Sequence, residues 1–238
     1  MKNGNIYDGY LEWKNWGESF GLIDDCTRRY YDLELKKIEG NLKGQNIRVL
    51  EIGFGNGSFL TYALERGWSV YGIEVNDDLI TIANKKGFQV CSTMDYLEDN
   101  VFDLIVAFDV LEHITSNELI EFTVKIKSKL KNGGFFVARF PNGDSPIGMK
   151  NQNGDLTHLN CIGSNKIIQL SKYCDFKLLF IKGQSEIFIY KSIKKTFYTI
   201  ALYPIKLFIN LIMKVFFFPT TYYFFCSENL VVFFKKEI

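Results

Sequence analysis

Three glycines at alternate positions follow a short apolar stretch and precede a helical pattern. Gly53, Gly55 and Gly57 come directly after residues 47–52, and the helical pattern begins at Phe59. Glycine costs roughly 0.5–1 kcal/mol relative to alanine in regular structure, so it is kept where the backbone turns sharply or a ligand lies against it. The turn also presents a helix N-terminus, whose free N–H groups suit a carboxylate or phosphate. We predict a ligand-binding strand–turn–helix unit; a tight turn without a ligand is the alternative.

An acidic residue closes the next apolar segment. Glu74 stands at the end of residues 68–75, 17 positions after Gly57. This is close to the interval at which a carboxylate hydrogen-bonds the hydroxyls of a ribose in nucleotide-binding α/β folds. A carboxylate at this place would repel the 2′-phosphate of NADP. The alternative is a solvated acid at the end of a strand.

The glycine pattern resembles a known cofactor motif. The spacing is G-x-G-x-G with Glu51 two positions before the first glycine, whereas a dinucleotide-binding turn reads G-x-G-x-x-G. It resembles motif I of the class I S-adenosylmethionine-dependent methyltransferases. The resemblance implies S-adenosylmethionine as cofactor, bound by Glu51, the three glycines and Glu74. It also implies that Asp95 accepts a hydrogen bond from the adenine amino group and that Tyr96 flanks the ring.

A second cluster of polar residues follows the apolar run 102–108. The segment D-V-L-E-H-I contains Asp109, Glu112 and His113, and it resembles motif IV of small-molecule methyltransferases of the ubiquinone-biosynthesis type. Ligands of open α/β sheets bind outside the carboxyl ends of the strands. We therefore expect Asp109 to contact the cofactor and His113 to lie near the reacting centre.

A long polar loop at residues 142–160 supplies the remaining candidates. Loops of nearly 20 residues inside a compact domain are often functional. Together with the end of the preceding strand, it offers five polar or charged side chains, namely Arg139, Asn142, Asp144, Asp155 and His158. The chain has two histidines, and both are predicted to lie on this face.

The implied reaction is displacement of a methyl group from a sulfonium to an acceptor oxygen. The protein then supplies position, desolvation and a base for the hydroxyl proton. We expect His158 as the base, with His113 as second candidate and Asp109, Asp144 and Asp155 in support. Arg139, Asn142, Asp144 and Asp155 are the predicted substrate residues, because Arg139 can hold a phosphate or a sugar acid. No cluster has metal-ligand spacing, so we predict no metal site.

Apolar strands alternate with amphipathic helices, which predicts an α/β fold. The family resemblance implies a Rossmann-like seven-stranded sheet, order 3-2-1-4-5-7-6, with helices on both faces. We divide the chain into an N-terminal aromatic arm and helix, residues 1–44, and a methyltransferase domain, residues 45–238. The arm carries five aromatic side chains that either cover the cofactor pocket or pack on the domain, namely Tyr7, Tyr10, Trp13, Trp16 and Phe20.

Residues 184–228 form an unusual insertion between the predicted strands 6 and 7. Within it, residues 195–218 are almost entirely apolar, with a narrow stripe that includes Lys206, Asn210 and Lys214. Three interpretations are open. The segment lies in the headgroup plane of a membrane, packs on its own domain or a second subunit, or spans the bilayer at the cost of hiding two lysines. We expect Pro204 to kink or divide the helix.

Composition sets the remaining expectations. The chain has 238 residues, 47% of them hydrophobic, and a net charge of +1, which disfavours a nucleic-acid partner. Residues 186–238 are nevertheless basic, with seven lysines and three glutamates. Five cysteines without C-x-x-C spacing indicate a reducing compartment, and the N-terminus lacks a signal-peptide pattern. We expect a cytoplasmic protein. If residues 195–218 lie in the headgroup plane, the protein is peripheral on the inner face of the plasma membrane.

Three further stretches indicate the acceptor. The segments E-W-K-N-W, R-F-P-N-G-D-S-P and G-D-L-T-H resemble a bacterial group that acts in surface-polysaccharide biosynthesis. This resemblance implies a small-molecule, saccharide or lipid-linked acceptor. Two alternatives remain, a non-catalytic scaffold that retains the cofactor and an NAD-dependent oxidoreductase. The sequence does not indicate an oligomeric state.

Overall fold

The computed structural model describes residues 16–42, 46–219 and 223–237. Within this part of the chain, seven strands form one sheet in the order β3-β2-β1-β4-β5-β7-β6, as the family resemblance implied. The strands are β1 (Arg48–Ile52), β2 (Ser69–Ile73), β3 (Gln89–Cys91), β4 (Phe102–Phe108), β5 (Leu130–Pro141), β6 (Lys177–Gly183) and β7 (Asn229–Lys235). Strand β7 runs antiparallel to both of its neighbours, β5 and β6, and the other neighbouring strands of this sheet pair in parallel.

Helices connect the strands on both faces of the sheet. In chain order the described helices are α1 (Trp16–Ser19), α2 (Asp25–Leu35), α3 (Ser58–Glu65), α4 (Asp77–Lys85), α5 (Ser116–Lys129), α6 (Met149–Gln152), α7 (Ser164–Tyr173) and α8 (Ile193–Phe216). Helix α2 is capped by Asp24, whose carboxylate accepts a hydrogen bond of 2.8 Å from the backbone N–H of Thr27. Helix α8 lies between β6 and β7, within the predicted insertion.

The central strands are buried on both faces, which explains their continuous apolar runs. Side chains alternate between two cores along β4, so that Leu104 and Val106 face one layer and Ile105 and Ala107 face the other. The side chains of β7 alternate between the same two cores. This burial fixes the register, since a shift of one residue would reverse every side chain.

The register brings the functional ends of four strands into line. Ile52 pairs with Ile73 on one side and with Ala107 on the other, and Phe108 pairs with Arg139. The residues that follow β1, β2 and β4 therefore share one edge with the end of β5.

Strand β5 begins at Leu130, because Leu130 pairs with Phe102 before a register shift in the ladder. Helix α8 continues through Pro204 and is not divided there, while the kink that the sequence also allowed stays a prediction. A proline removes one backbone hydrogen bond, and at this exposed position water can satisfy the carbonyl group that loses its partner.

The N-terminal aromatic residues divide between the two predicted roles. Phe20 is fully buried in the core, and Trp16 lines the cleft described below. Tyr7, Tyr10 and Trp13 lie outside the described residues. The proposed boundary at residue 44 stays a prediction, although Tyr31 and Leu35 of α2 belong to the same core as the sheet.

Candidate active site

The glycine turn after β1 has backbone geometry that other residues adopt with difficulty. Gly53, Gly55 and Gly57 have φ angles of 68°, 48° and 71°, in the left-handed region that favours glycine. A Cβ on Gly53 would lie 2.5 Å from the Val110 side chain, and one on Gly57 would lie 2.7 Å from Phe20. The turn is therefore both sharp and closely covered, as predicted for a cofactor loop.

Glu74 is held against this turn by backbone donors. Its Oε2 accepts from the N–H of Gly55 at 3.1 Å, and its Oε1 accepts from Val75 at 2.8 Å and Asn76 at 3.2 Å. Each carboxylate oxygen can accept two hydrogen bonds, so Oε2 retains one acceptor position. The side chain is nearly buried yet lines the cleft, which suits a bond to a ribose hydroxyl.

A cleft of about 1230 Å³ opens at this edge of the sheet. It is lined by the glycine turn, Glu74, the residues after β4 and part of the loop after β5. Ligand sites commonly enclose about 300–1,000 Å³. The cleft thus has room for a nucleoside cofactor and a second reactant.

Glu51 carries a buried carboxyl group at the floor of the cleft. It is 4% exposed, and its Oε2 has no hydrogen-bond partner within the described residues. Burial raises the pKa of Glu51 well above its ordinary value, and the nearby carboxylate of Glu74 raises it further. The group therefore favours the neutral acid, which can donate a hydrogen bond.

The two histidines meet across the cleft. The ring centroids of His113 and His158 are 4.7 Å apart in an edge-to-face arrangement. The backbone N–H groups of Leu159 and Asn160 donate to the Glu112 carbonyl oxygen at 2.8 and 3.0 Å. These bonds tie the loop after β5 to the turn after β4 and bring His158 beside His113.

Hydrogen bonds fix which nitrogen of each ring carries the proton. His113 Nδ1 lies 3.1 Å from the Thr157 carbonyl oxygen, and His158 Nδ1 lies 3.0 Å from that of Gln152. A carbonyl oxygen only accepts, so Nδ1 is the donor in both neutral rings and Nε2 keeps its lone pair. Burial lowers the pKa of His113, and the neighbouring His158 lowers it further. Both rings can therefore offer Nε2 as a base or a ligand.

Glu112 completes this cluster. Its side chain is 1% exposed, both oxygens lack a hydrogen-bond partner among the described residues, and Oε1 lies 4.0 Å from His158 Nε2. Burial raises the pKa of Glu112 well above the ordinary value, and Asp109 adds to the effect. Ligand atoms of Glu112, His113 and His158 lie within 4.8 Å of one another and could hold a metal ion. Sequence spacing missed this group, because His158 is far from the other two along the chain.

Arg139 is already engaged on the side of the cleft. Its Nε donates to Asp109 Oδ1 at 3.0 Å, its Nη2 pairs with Asp109 Oδ2, and its Nη1 donates to the Tyr30 hydroxyl at 2.8 Å. Asp109 itself has a left-handed φ of 59°, which aspartate tolerates better than most residues. A phosphate or sugar acid that binds Arg139 would therefore share the guanidinium with Asp109.

Comparison with known proteins decides the family. Residues 27–177 match the family model described as a methyltransferase domain. The chain belongs to the methyltransferase-domain family. The predicted class I fold is confirmed, and S-adenosylmethionine is the cofactor that membership of this family implies.

Several curated relatives match parts of this methyltransferase. An uncharacterised protein of Methanocaldococcus jannaschii is 30% identical over 53% of this chain and 53% of its own length. An uncharacterised methyltransferase of Bacillus cytotoxicus is 29% identical over 56% and 66%. The ubiquinone biosynthesis O-methyltransferase of Pelagibacter ubique is 31% identical over 45% and 47%. The chain thus covers about half to two thirds of the length of these relatives.

Solved structures share the fold at low identity. A SAM-dependent methyltransferase from Archaeoglobus fulgidus gives a TM-score of 0.66 at 20% identity and covers 95% of this chain and 99% of its own. The [4+2]-cyclase SpnF gives 0.62 at 16% identity, covering 98% and 94%. The fold therefore carries more than one chemistry, and the acceptor has to be argued from the site.

The residues at the glycine turn fit S-adenosylmethionine. Glu74 has an acceptor position left for the ribose, and the buried Glu51 Oε2 lacks a partner in the described structure. Trp16 lies against Gly55, where a Cβ would be 3.0 Å from the ring. When bound, the cofactor supplies a methyl group on a positively charged sulfur.

Five predicted site residues of the methyltransferase lie outside the lining of this cleft, namely Gly57, Asp95, Tyr96, Asn142 and Asp144. Asp95 pairs with Lys125 and accepts from the Thr93 hydroxyl at 2.8 Å, and Tyr96 is 77% exposed. Their contacts with the adenine stay predictions. The residues of this region that line the cleft are instead Ser92, Thr93 and Met94.

Asn142 and Asp144 have structural partners. The buried Asn142 amide donates to the carbonyl oxygens of Phe224 and Ser227 at 2.9 and 3.0 Å, and Asp144 Oδ2 accepts from the N–H of Ser164 at 2.6 Å. Asp144 therefore caps α7. Contact of these two residues with substrate stays a prediction, whereas Asp155 does line the cleft.

Proposed function

We propose that this methyltransferase transfers a methyl group from S-adenosylmethionine to a hydroxyl oxygen of a small-molecule or lipid-linked saccharide acceptor. The observation that carries the proposal is the pair of histidine Nε2 lone pairs in the cleft that also contains the glycine turn. Hydroxyl methylation requires removal of a proton, and a neutral imidazole is suited to that task near neutral pH.

The protein residues divide the work as follows. His158 Nε2 accepts the acceptor's hydroxyl proton while the oxygen forms its bond to the methyl carbon and the bond from that carbon to sulfur breaks. The Gln152 carbonyl oxygen orients His158 by accepting from Nδ1, and the same hydrogen bond stabilises the imidazolium that forms. His113, held by Thr157, is the second candidate for the base.

The choice of acceptor rests on similarity and on the cleft. An O-methyltransferase is among the relatives, and Arg139 and Asp155 present charged groups in the cleft lining that can hydrogen-bond the hydroxyls or acidic groups of a saccharide. The apolar, basic insertion adds a reason for a lipid-linked form.

The proposal is tested by incubating the purified protein with methyl-labelled S-adenosylmethionine and bacterial lipid and sugar-nucleotide extracts. Mass spectrometry of labelled products identifies the acceptor and the methylated atom. We expect label on a hydroxyl oxygen. Label on nitrogen or carbon would contradict the assigned chemistry, and cofactor binding without transfer would favour a non-catalytic scaffold.

A histidine variant tests the base. His158→Gln should lower kcat by about 10²–10⁴-fold, because general-base catalysis contributes that much, while calorimetric affinity for S-adenosylmethionine stays unchanged. His113→Gln is the matched control and should lower kcat less than His158→Gln does. A His158→Gln enzyme with normal kcat would remove His158 from the mechanism.

A further inference from the structure

Helix α8 turns its polar side toward its own domain. Half-buried positions recur along it at spacings of three and four residues, as on one face of a helix. They are Thr196, Thr199, Leu202, Tyr203, Lys206, Ile209, Asn210 and Met213. The stripe that the sequence analysis singled out is thus mostly the side that contacts the protein.

Specific bonds hold this side along the length of the helix. Lys206 Nζ pairs with Glu186 Oε1 at 2.6 Å, and Asn210 Oδ1 accepts from the N–H of Cys226 at 2.9 Å. Near the helix start, the Thr196 hydroxyl accepts a backbone hydrogen bond of 2.9 Å from residue 190. The charge of Lys206 is therefore neutralised on the inner side.

The outer side of α8 is apolar and exposed. Wound at 100° per residue, its exposed apolar residues occupy an arc of about 180°. They are Ile193, Phe197, Tyr198, Ile200, Ala201, Pro204, Ile205, Leu207, Phe208, Leu211, Ile212, Val215 and Phe216. No residue of this helix is buried, and it is the one described helix that is long and apolar enough to cross a membrane.

We propose that this outer side of α8 lies in the headgroup region of an anionic lipid bilayer. A neighbouring helix covers a stripe of roughly 100°, so a second copy of the helix would leave much of a half-cylinder in water. A bilayer surface covers all of it.

The charges agree with a lipid surface. Lys191 and Lys194 are exposed at the start of the helix, and Lys214 is exposed near its end at the border of the apolar arc. Lysines in such positions extend to anionic headgroups while their stems stay on the apolar surface. Aromatic side chains at Tyr198 and Phe216 border the same arc and suit the interface between headgroups and acyl chains.

The inner contacts favour a helix that lies on the membrane over one that spans it. A spanning orientation would break the Lys206–Glu186 pair and the Asn210 bond and would place a lysine and an amide in hydrocarbon. It would also pull on β7, which pairs with β5 from Asn229 onward.

Docking through α8 would bring the cleft to the membrane. The insertion leaves the sheet after β6 and returns at Asn229, opposite Pro141 at the end of β5. Both Pro141 and Asn229 line the cleft. A lipid-linked acceptor could therefore reach the histidines from the bilayer, a point that rests on the proposed function, whereas the docking itself does not.

The test is cosedimentation of the full chain with vesicles of phosphatidylcholine, with and without phosphatidylglycerol, in the absence of cofactor and acceptor. The wild-type chain should bind the anionic vesicles and be released by high salt or alkaline carbonate. Phe208→Asp combined with Leu211→Asp should reduce the bound fraction at least about fivefold, because both side chains leave the apolar surface. Leu64→Asp, at an exposed apolar position of α3, is the matched control and should bind like wild type.

Folding is checked by circular dichroism and by calorimetric titration of S-adenosylmethionine, which the paired variant should still bind. Several results would overturn the proposal. One is wild-type protein that does not bind anionic vesicles, and another is a Phe208→Asp/Leu211→Asp variant that binds them as well as wild type. A third is a wild-type dimer that this variant dissociates, with no vesicle binding by either protein. A fourth is wild-type protein that stays on the vesicles in alkaline carbonate, which would indicate a membrane span. Since no methyl transfer is measured, failure of the proposed function leaves this result unaffected.

Discussion

At the residue scale, the cleft contains two buried carboxyl groups whose charge is disfavoured. Glu51 and Glu112 are 4% and 1% exposed, and each has at least one oxygen without a partner among the described residues. Such groups cost stability when ionised, so a fold that keeps them in a ligand cleft indicates that ligands satisfy them.

Glu51 gives a pH-dependent prediction. Its raised pKa means that the native state binds a proton more tightly than the unfolded chain. The contribution of protonated Glu51 to the free energy of unfolding is therefore fully present below about pH 4.3 and is lost as the pH rises through the native pKa. Glu51→Gln should therefore increase the free energy of unfolding more at about pH 8 than at about pH 5. Urea denaturation at both pH values measures this.

The control for Glu51→Gln is Glu98→Gln, which changes an exposed side chain. Its free energy of unfolding should differ little from wild type at either pH. A Glu51→Gln gain that is equal at both pH values would show that Glu51 does not titrate between them, and a loss at the higher pH would show that its ionised carboxylate is favourably placed; either result contradicts the prediction.

At the element scale, the caps and turns of the helices position the site. Helix α2 carries Tyr30, which bonds Arg139, and Tyr31, whose hydroxyl lies 2.8 Å from the Ser58 hydroxyl at the start of α3. The orientation of helix α2 depends on the Asp24 cap. The cap therefore affects both the core and the side of the cleft.

Asp24→Ala should lower the free energy of unfolding by about 1 kcal/mol, because it removes an N-cap acceptor. The hydrogen bond from Thr27 lowers the pKa of Asp24. The contribution of this cap to the free energy of unfolding is therefore present above about pH 3.9 and is lost as the pH falls through the native pKa. Asp24→Asn retains an acceptor and should restore most of the stability near neutral pH. Thermal denaturation of both variants checks this, and an Asn variant as weak as the Ala variant would contradict the capping role.

The elements were predictable where the signal is local. The glycine turn and the apolar run of β4 each lie within a short stretch and were identified from it. The start of β5 was not, because Leu130 is placed by its pairing with Phe102. The side of α8 that faces the protein was also not predictable, since it depends on Glu186 and Cys226 outside the helix.

The same reasoning applies to the candidate site. Glu74 and the glycines follow a spacing that recurs in α/β folds, so sequence placed them together. The cluster of Glu112, His113 and His158 forms through backbone bonds from residues 159 and 160 to residue 112. No periodicity in the chain encodes that contact.

At the scale of the whole molecule, one edge of the sheet collects every feature with a functional interpretation. The glycine turn, the histidine pair and the point where the insertion rejoins the sheet all lie at the carboxyl ends of the parallel strands. Strand β7 is antiparallel, which lets the insertion start and finish at that same edge. The topology thus places the glycine turn, the histidine pair and the proposed docking surface side by side.

The central claim is that S-adenosylmethionine binds over the glycine turn with its ribose on Glu74. Isothermal titration of S-adenosylmethionine into wild type, Glu74→Ala and the exposed control Glu98→Ala tests it most directly. We predict one site in wild type and in Glu98→Ala, and an affinity at least about tenfold weaker in Glu74→Ala, since a hydrogen bond to a charged group contributes roughly 1.5–3 kcal/mol. Equal affinity in all three proteins, or no binding to wild type, would contradict the account.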